Sequence, residues 1–258
     1  MANTQLSLNQ TIMQPNWQNY LSQVLGERKD QFVTSCISLT RQNATLQKCD
    51  PTSVITAAMS AATLNLSTDP NLGESYIIPY GNQCTFQIGY MGLIQMALQT
   101  GQFVRLNVTD VRKGEIKFDR LSGDVTMVDV EDRDTLPIIG YVAYMKLVNG
   151  FEKSLYMTVE ELKAHGTKYS KSGKLWQTDF EKMAQKTVLK QLLKKYAPKS
   201  TEKMTNAITY DQAVLRPNFE NNTVEADYVD RKPLNAVSVE SDIMNESIVV
   251  EENTDDGK

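Results

Sequence analysis

Asn149-Gly150 is the feature that most constrains what this chain can fold into. A two-residue hairpin turn needs positive φ at its central positions, and Asn-Gly supplies that at the lowest steric cost. Residues 138–148 before it and 151–157 after it are rich in β-branched and aromatic side chains, so the spacing predicts an antiparallel hairpin. A second hairpin is expected where residues 75–80 and 84–88 flank Gly81 and Asn82. Strand character also runs over 103–111 and, more weakly, over 125–130. Antiparallel sheet therefore has to be part of the fold.

Helical periodicity brackets these strands. Trp17, Tyr20, Leu21, Val24 and Leu25 follow Pro15, and Phe32, Val33, Ile37 and Leu39 continue the pattern. Asp50 as N-cap with Pro51 in the first turn predicts a third helix through Val54, Ile55, Ala58, Met59, Ala62 and Leu66. Residues 89–101 read as a helix closed by Gly101. Two capping boxes follow, Thr158 with Glu161 and Thr178 with Glu181, and the second is expected to open a long helix that ends before Pro198. The fold class is thus α+β: N-terminal helices, a central antiparallel sheet with hairpins packed against helices that include a long basic amphipathic one, and an acidic C-terminal tail read as largely disordered. The expected division is a helical arm over 1–30 suited to self-assembly, a core over 31–205, and a partner-binding tail over 206–258.

The long helix carries Lys182, Lys186, Lys190 and Lys194 at every fourth position. A rise of about 1.5 Å per residue sets successive lysines roughly 6 Å apart, close to the phosphate spacing of a stretched strand. A solvated helix face gives the same pattern, so the row alone does not decide. On the other side Phe180, Met183, Ala184, Thr187, Val188 and Tyr196 form an apolar stripe. Each four-residue step drifts by about 40°, so Lys182 and Lys194 cannot share one line and Lys186 and Lys190 are the first candidates.

Charge distribution favours a polyanionic partner more than the net charge of −4 suggests. Residues 151–203 hold 12 Lys and Arg against 6 Asp and Glu, whereas residues 204–258 hold 4 against 12. A basic block followed by an acidic tail suits a nucleic-acid protein whose tail competes for its own basic surface. Between the capping boxes, Lys168, Lys171 and Lys174 are interleaved with Tyr169 and Trp176. Single-strand binding needs cations for phosphates and aromatic faces for bases, and this loop has both; the rival reading folds Trp176 inward as a staple for the next helix. Arg105, Arg112, Lys113 and Lys117 extend the basic character into the strands.

Signals for covalent chemistry are weak. His165 is the one histidine, and no further His or Cys lies at zinc-ligand spacing. The chain has neither GxxxxGK[ST] nor GxSxG, so no nucleotide-driven or nucleophilic motif is present. Asp129, Glu131, Asp132 and Asp134 are weighed as a two-metal nuclease site against a polar hairpin tip, and the tip is favoured. Cys36, Cys49 and Cys84 lie far apart and are expected to be reduced. The N-terminus lacks signal-peptide character and no run approaches a membrane span, so a cytoplasmic location is expected.

In order along the chain stand YIIPYG (76–81), QIGYMGLIQMALQTG (87–101), GYVAYMKLVNG (140–150) and DFEKMAQKTVLKQLLK (179–194) behind Trp176. This sequence of motifs, over roughly residues 30–205, resembles the RecT-type single-strand annealing proteins of phages and prophages. The resemblance implies ATP-independent binding of single-stranded DNA, pairing of complementary strands, ring or filament assembly, a cognate exonuclease and contact with the host single-strand DNA-binding protein. It implies no enzyme activity and no cofactor, with Mg²⁺ at most modulating DNA binding. The family's basic and aromatic positions map onto Lys186, Lys190, Arg105, Tyr90 and Trp176. The expected site is a groove between the lysine helix and the sheet, lined by Lys182, Lys186, Lys190, Lys194 and Arg105. A passive single-strand coating protein and a metal-dependent nuclease remain the alternatives.

Overall fold

Apolar spacing decides where the N-terminal helices go. In a computed structural model, which describes residues 6–169, 173–198, 211, 213–219 and 223–227, four helices open the chain: α1 (Leu8–Ile12), α2 (Pro15–Leu25), α3 (Lys29–Gln42) and α4 (Pro51–Thr63). Ile12, Trp17, Tyr20, Leu21 and Leu25 are buried in one core with Phe32, Val33, Cys36, Val54 and Ile55. The segment expected to form an arm is therefore, over its described residues, a wall of the core, because its large apolar side chains find cover on α4. α4 starts as its chemistry dictates: the Asp50 carboxylate accepts from the Ser53 N–H at 2.9 Å, with Pro51 in the first turn.

A hairpin of β1 (Ser75–Tyr80) and β2 (Gln83–Ile88) lies on α4, with Phe86 and Ile88 buried and the Ser53 hydroxyl accepting from the Cys84 N–H at 2.9 Å. The helix α5 (Tyr90–Gln99) follows directly. Its glycines serve close approach: a Cβ on Gly92 would lie 2.0 Å from the Glu74 carbonyl oxygen, and Gly89 donates to that same oxygen at 2.8 Å. The expected helix over 89–101 is thus fastened to the base of the first hairpin.

The second half is built on a sheet. The strands β3 (Phe103–Arg112), β4 (Ile116–Asp119), β5 (Asp124–Met127), β6 (Ile138–Leu147) and β7 (Glu152–Thr158) form an antiparallel three-stranded sheet in the order β3-β6-β7, with β4 and β5 as a separate hairpin. The β6–β7 hairpin forms where expected, but as a three-residue loop over 148–150 rather than a two-residue turn: Leu147 and Phe151 still pair, and Gly150 alone takes positive φ, +88°. Three helices come next: α6 (Val159–Tyr169), α7 (Lys174–Thr178) and α8 (Phe180–Tyr196). The first capping box forms, with the Glu161 N–H donating to Thr158 Oγ1 at 3.1 Å and the Thr158 N–H to Glu161 Oε2 at 2.8 Å. The second does not. Thr178 closes α7 and its hydroxyl donates to the Asp179 carboxylate, so α8 begins at Phe180 behind Asp179 without a side-chain cap.

Part of the segment expected as a disordered tail is ordered. The antiparallel pair β8 (Val214–Asn218) and β9 (Thr223–Asp227) lies within 206–258. Ala213 and Leu215 are buried, Thr56 donates to the Leu215 carbonyl at 2.8 Å, and Phe219 meets Trp17 edge to face at 5.1 Å. These residues supply cover that the N-terminal helices need, which the acidic average of the tail conceals. The remainder of the tail, Ile248 to Val250 included, lies outside the described residues. The class is α+β, as expected. Among the described residues, no helix is long and apolar enough to cross a membrane.

Candidate nucleic-acid interface

The helix α8 belongs to both halves of the molecule. Leu189 and Leu193 enter the first core, while Ala184, Val188 and Leu192 meet Tyr141, Ala143 and Met145 of β6 in a second. At about 100° per residue these two sets, with buried Thr187, cover most of the helix circumference. What remains open is a narrow strip with Lys186, Lys190 and Lys194, continued at the N-terminal end by Lys182. Tyr196, expected in the apolar stripe, is instead exposed near the helix end. The expected groove between helix and sheet does not form, because α8 lies directly on that sheet face.

The lysines of the strip are not equivalent. Lys182 is 83% exposed and pairs with Asp179 at 3.6 Å, a geometry worth little in water. Lys194 is exposed at the C-terminal turn, where the helix dipole favours a cation. Lys190 reaches Asp211, whose carboxylate is 1% exposed: Oδ2 takes Lys190 Nζ at 2.5 Å and Oδ1 accepts from the Ile88 N–H at 2.9 Å. Lys186 is half-buried beside this pair. Burial pulls its ammonium below the ordinary lysine value, Asp211 opposes that shift, and Lys190 adds to it. One buried carboxylate therefore faces two ammonium groups, leaving a partly desolvated excess of positive charge on the strip.

At one side of the strip lie α6 and α7. Lys168 and Tyr169 are exposed, with the ammonium 5.1 Å from the ring centroid. Trp176 is half-buried and packs on the second core, 5.9 Å from Phe180 and 6.1 Å from His165. A Cβ on Gly166 would stand 2.5 Å from the indole Cδ2, so that glycine makes room for the ring. The staple reading of Trp176 matches this packing. Lys174 is the first residue of α7, and Lys171 lies outside the described residues.

Two candidates lie elsewhere. Leu106 pairs with Met145 and Val108 with Ala143 on the α8 side of the sheet. Arg105, paired with Lys146, therefore projects from the opposite face, where its charge acts on Tyr144. Tyr90 opens α5 and is half-buried against the first core, with burial raising its phenol. The lysines of α8 thus wind along one oblique strip, Lys168 and Lys190 both act on His165, and Arg105 is not part of the strip.

Asp129, Glu131, Asp132 and Asp134 are all exposed, and the buried ion pairs nearby are made by other carboxylates. Among the described residues no three metal-ligating side chains are gathered. Asp134 is 96% exposed, whereas Arg133 turns inward to Glu115 at 2.6 Å and Asp110 at 3.1 Å. Arg112 also bonds Asp110 at 2.9 Å, and its N–H donates to Glu115 at 2.7 Å. Burial would raise both carboxyls, but hydrogen bonds from the two arginines outweigh it and hold them below the usual carboxylate range. Neither this knot nor Asp211 was singled out from sequence. The signal for Asp211 was faint: one acid in an otherwise uncharged stretch, Ala207 to Leu215.

The chain is similar to known proteins over most of its length. It is 42% identical over 214 residues, 83% of this chain and 75% of the relative, to the uncharacterized protein YqaK of Bacillus subtilis. Protein RecT of Escherichia coli is 28% identical over 217 residues, 78% of each chain. The family model of RecT matches residues 30–227, which takes in the lysine helix and runs to the end of the β8–β9 hairpin. This chain belongs to the RecT family.

Proposed function

We propose that this protein binds single-stranded DNA along the open strip of α8 and anneals complementary strands without nucleotide hydrolysis, as part of recombination. The observation that carries the reading is the helix itself. Both of its broad faces are committed to cores, and the arc between them bears lysines at nearly phosphate spacing, Lys182 and Lys194 exposed and Lys186 and Lys190 half-buried. Contacts to the backbone position a strand without reading its sequence, so base edges stay free for a second strand. Base pairing supplies the driving force, and the cations lower repulsion between the strands. Lys186, Lys190 and Lys194 would hold phosphates, with Lys168 at the flank and Tyr169 offering an exposed ring; Lys171 and Lys174, which follow in sequence, would add their charge. Trp176 acts from beneath as support.

Membership of the family supports the wider setting: self-assembly on DNA, a nuclease that exposes the strands, a single-strand binding protein that yields them, and action in the cytoplasm of a bacterial host. Fluorescent complementary oligonucleotides mixed without ATP test the central claim. Annealing faster than the protein-free control is expected. Strand binding with no acceleration would leave a passive coating protein in its place. Labelled DNA incubated with Mg²⁺ or Mn²⁺ should stay intact, and cleavage would revive the nuclease reading.

A further inference from the structure

His165 stands behind the lysine strip with one ring nitrogen uncommitted. Its Nε2 lies 3.4 Å from Gln191 Nε2 on α8, and its ring centroid is 4.6 Å from that of Tyr169 and 6.1 Å from that of Trp176. Nδ1 is buried and, among the described residues, is the one buried side-chain N or O atom without a hydrogen-bond partner. Such an atom is held at a cost and calls for a physical account. The charged groups that face the ring are Lys168 from its own helix and Lys190 from α8; α7 presents Trp176. Burial and these two cations push the imidazole below its ordinary value, so it is neutral at pH 7.

We propose that His165 is a protonatable charge coupled to the strand site, taking up a proton when phosphates settle on the lysines of α6 and α8. The inference rests on the interface reading above. The logic is linkage: phosphates neutralise the two cations that add to burial in keeping the ring neutral, so the ring titrates higher in the complex than in the free protein. Gln191 accommodates either state, because its amide can turn to offer a donor to neutral Nε2 or an acceptor to the protonated one. Strand affinity is then greatest below the free-state value and declines as pH rises through the value in the complex. A rise of about half to one unit on binding corresponds to roughly three- to tenfold tighter binding at the acid end.

The chain has one histidine, which makes the test specific. Oligo(dT) binding is measured by calorimetry near pH 6.5 at fixed ionic strength, in two buffers of different ionisation enthalpy, on the full chain. A fraction of a proton taken up per subunit is expected for the wild type, and none for His165→Asn. Gln191→Glu places a carboxylate beside the ring, charges it before DNA arrives, and should also abolish uptake while leaving binding. It serves as the second variant where His165→Asn loses its fold by near-UV circular dichroism. Equal uptake in wild type and variants, or no uptake alongside normal binding, overturns the coupling. Absence of strand binding at every pH overturns the interface reading instead, and this inference with it.

Discussion

Two places in this molecule set cations against buried carboxylates, and they resolve the charge in opposite ways. In the knot at the end of β3, two carboxylates, Asp110 and Glu115, meet two guanidinium groups, Arg112 and Arg133, through direct bonds of 2.6–3.1 Å. On α8 the single carboxylate of Asp211 meets Lys190 directly and Lys186 through space. Saturated pairs leave nothing for a ligand and hold the chain together. An under-compensated, partly desolvated pair of ammonium groups has charge to offer an anion, as the proposed strand site requires. The difference teaches that the count of cations matters less than how many carboxylates already answer them.

The strongest way to break this comparison is to remove the α8 pair. Lys186→Ala with Lys190→Ala is expected to weaken oligo(dT) binding by roughly an order of magnitude or more at moderate salt, while the fold survives by circular dichroism with a lower unfolding midpoint, because buried Asp211 loses its ammonium partners. Retained affinity would show that the excess charge is not where the strand sits. Arg133→Ala should do the reverse. It leaves Glu115 with only the Arg112 N–H and Asp110 with the Arg112 guanidinium, so the unfolding midpoint falls by several degrees, at about 2–4 °C per kcal/mol for a domain of this size, and strand affinity stays put.

How much of this contrast the sequence disclosed depends on range. Short-range chemistry was readable: the place of the Asn149-Gly150 turn, Asp50 with Pro51, the Thr158–Glu161 box and Gly101, whose φ of +65° closes α5. Each is decided within about four residues. The Thr178–Glu181 box failed because α7 claims Thr178, and a motif does not say which of two adjoining helices will own it. Arg105 was misplaced because its face depends on a register irregularity between Phe103 and Arg105 and on which side α8 covers. Asp211 finds Lys190 across 21 residues of sequence, a contact no local pattern encodes. The β8–β9 hairpin was hidden by an acidic average over residues that include buried Leu215.

A smaller effect sharpens the comparison from the acid side. Asp110 and Glu115 have folded-state values held below their ordinary ones, so the stability they contribute is present above those ordinary values, near pH 4, and lost as pH falls through the depressed ones. Acid unfolding followed by tryptophan fluorescence should therefore set in at higher pH in Arg133→Ala than in the wild type. Coincident acid transitions would mean that the knot contributes no linked stability. The smallest expected effect is that of Asp211→Asn, which removes the answering charge but keeps an acceptor for the Ile88 N–H. A few-fold gain in strand affinity at low salt is expected, with a slightly lower unfolding midpoint; weaker binding would make Asp211 a positioning group for Lys190 rather than a brake on it.

The most direct test of the under-compensated strip is the slope of log affinity against log salt for oligo(dT). Each lysine that gives up a phosphate contact should lower the magnitude of that slope by about 0.7 for a single strand. Lys186→Ala and Lys190→Ala are predicted to flatten it singly and further in combination, while Arg133→Ala leaves it unchanged. Slopes equal to wild type in both lysine variants would contradict the account and remove α8 from the path of the DNA.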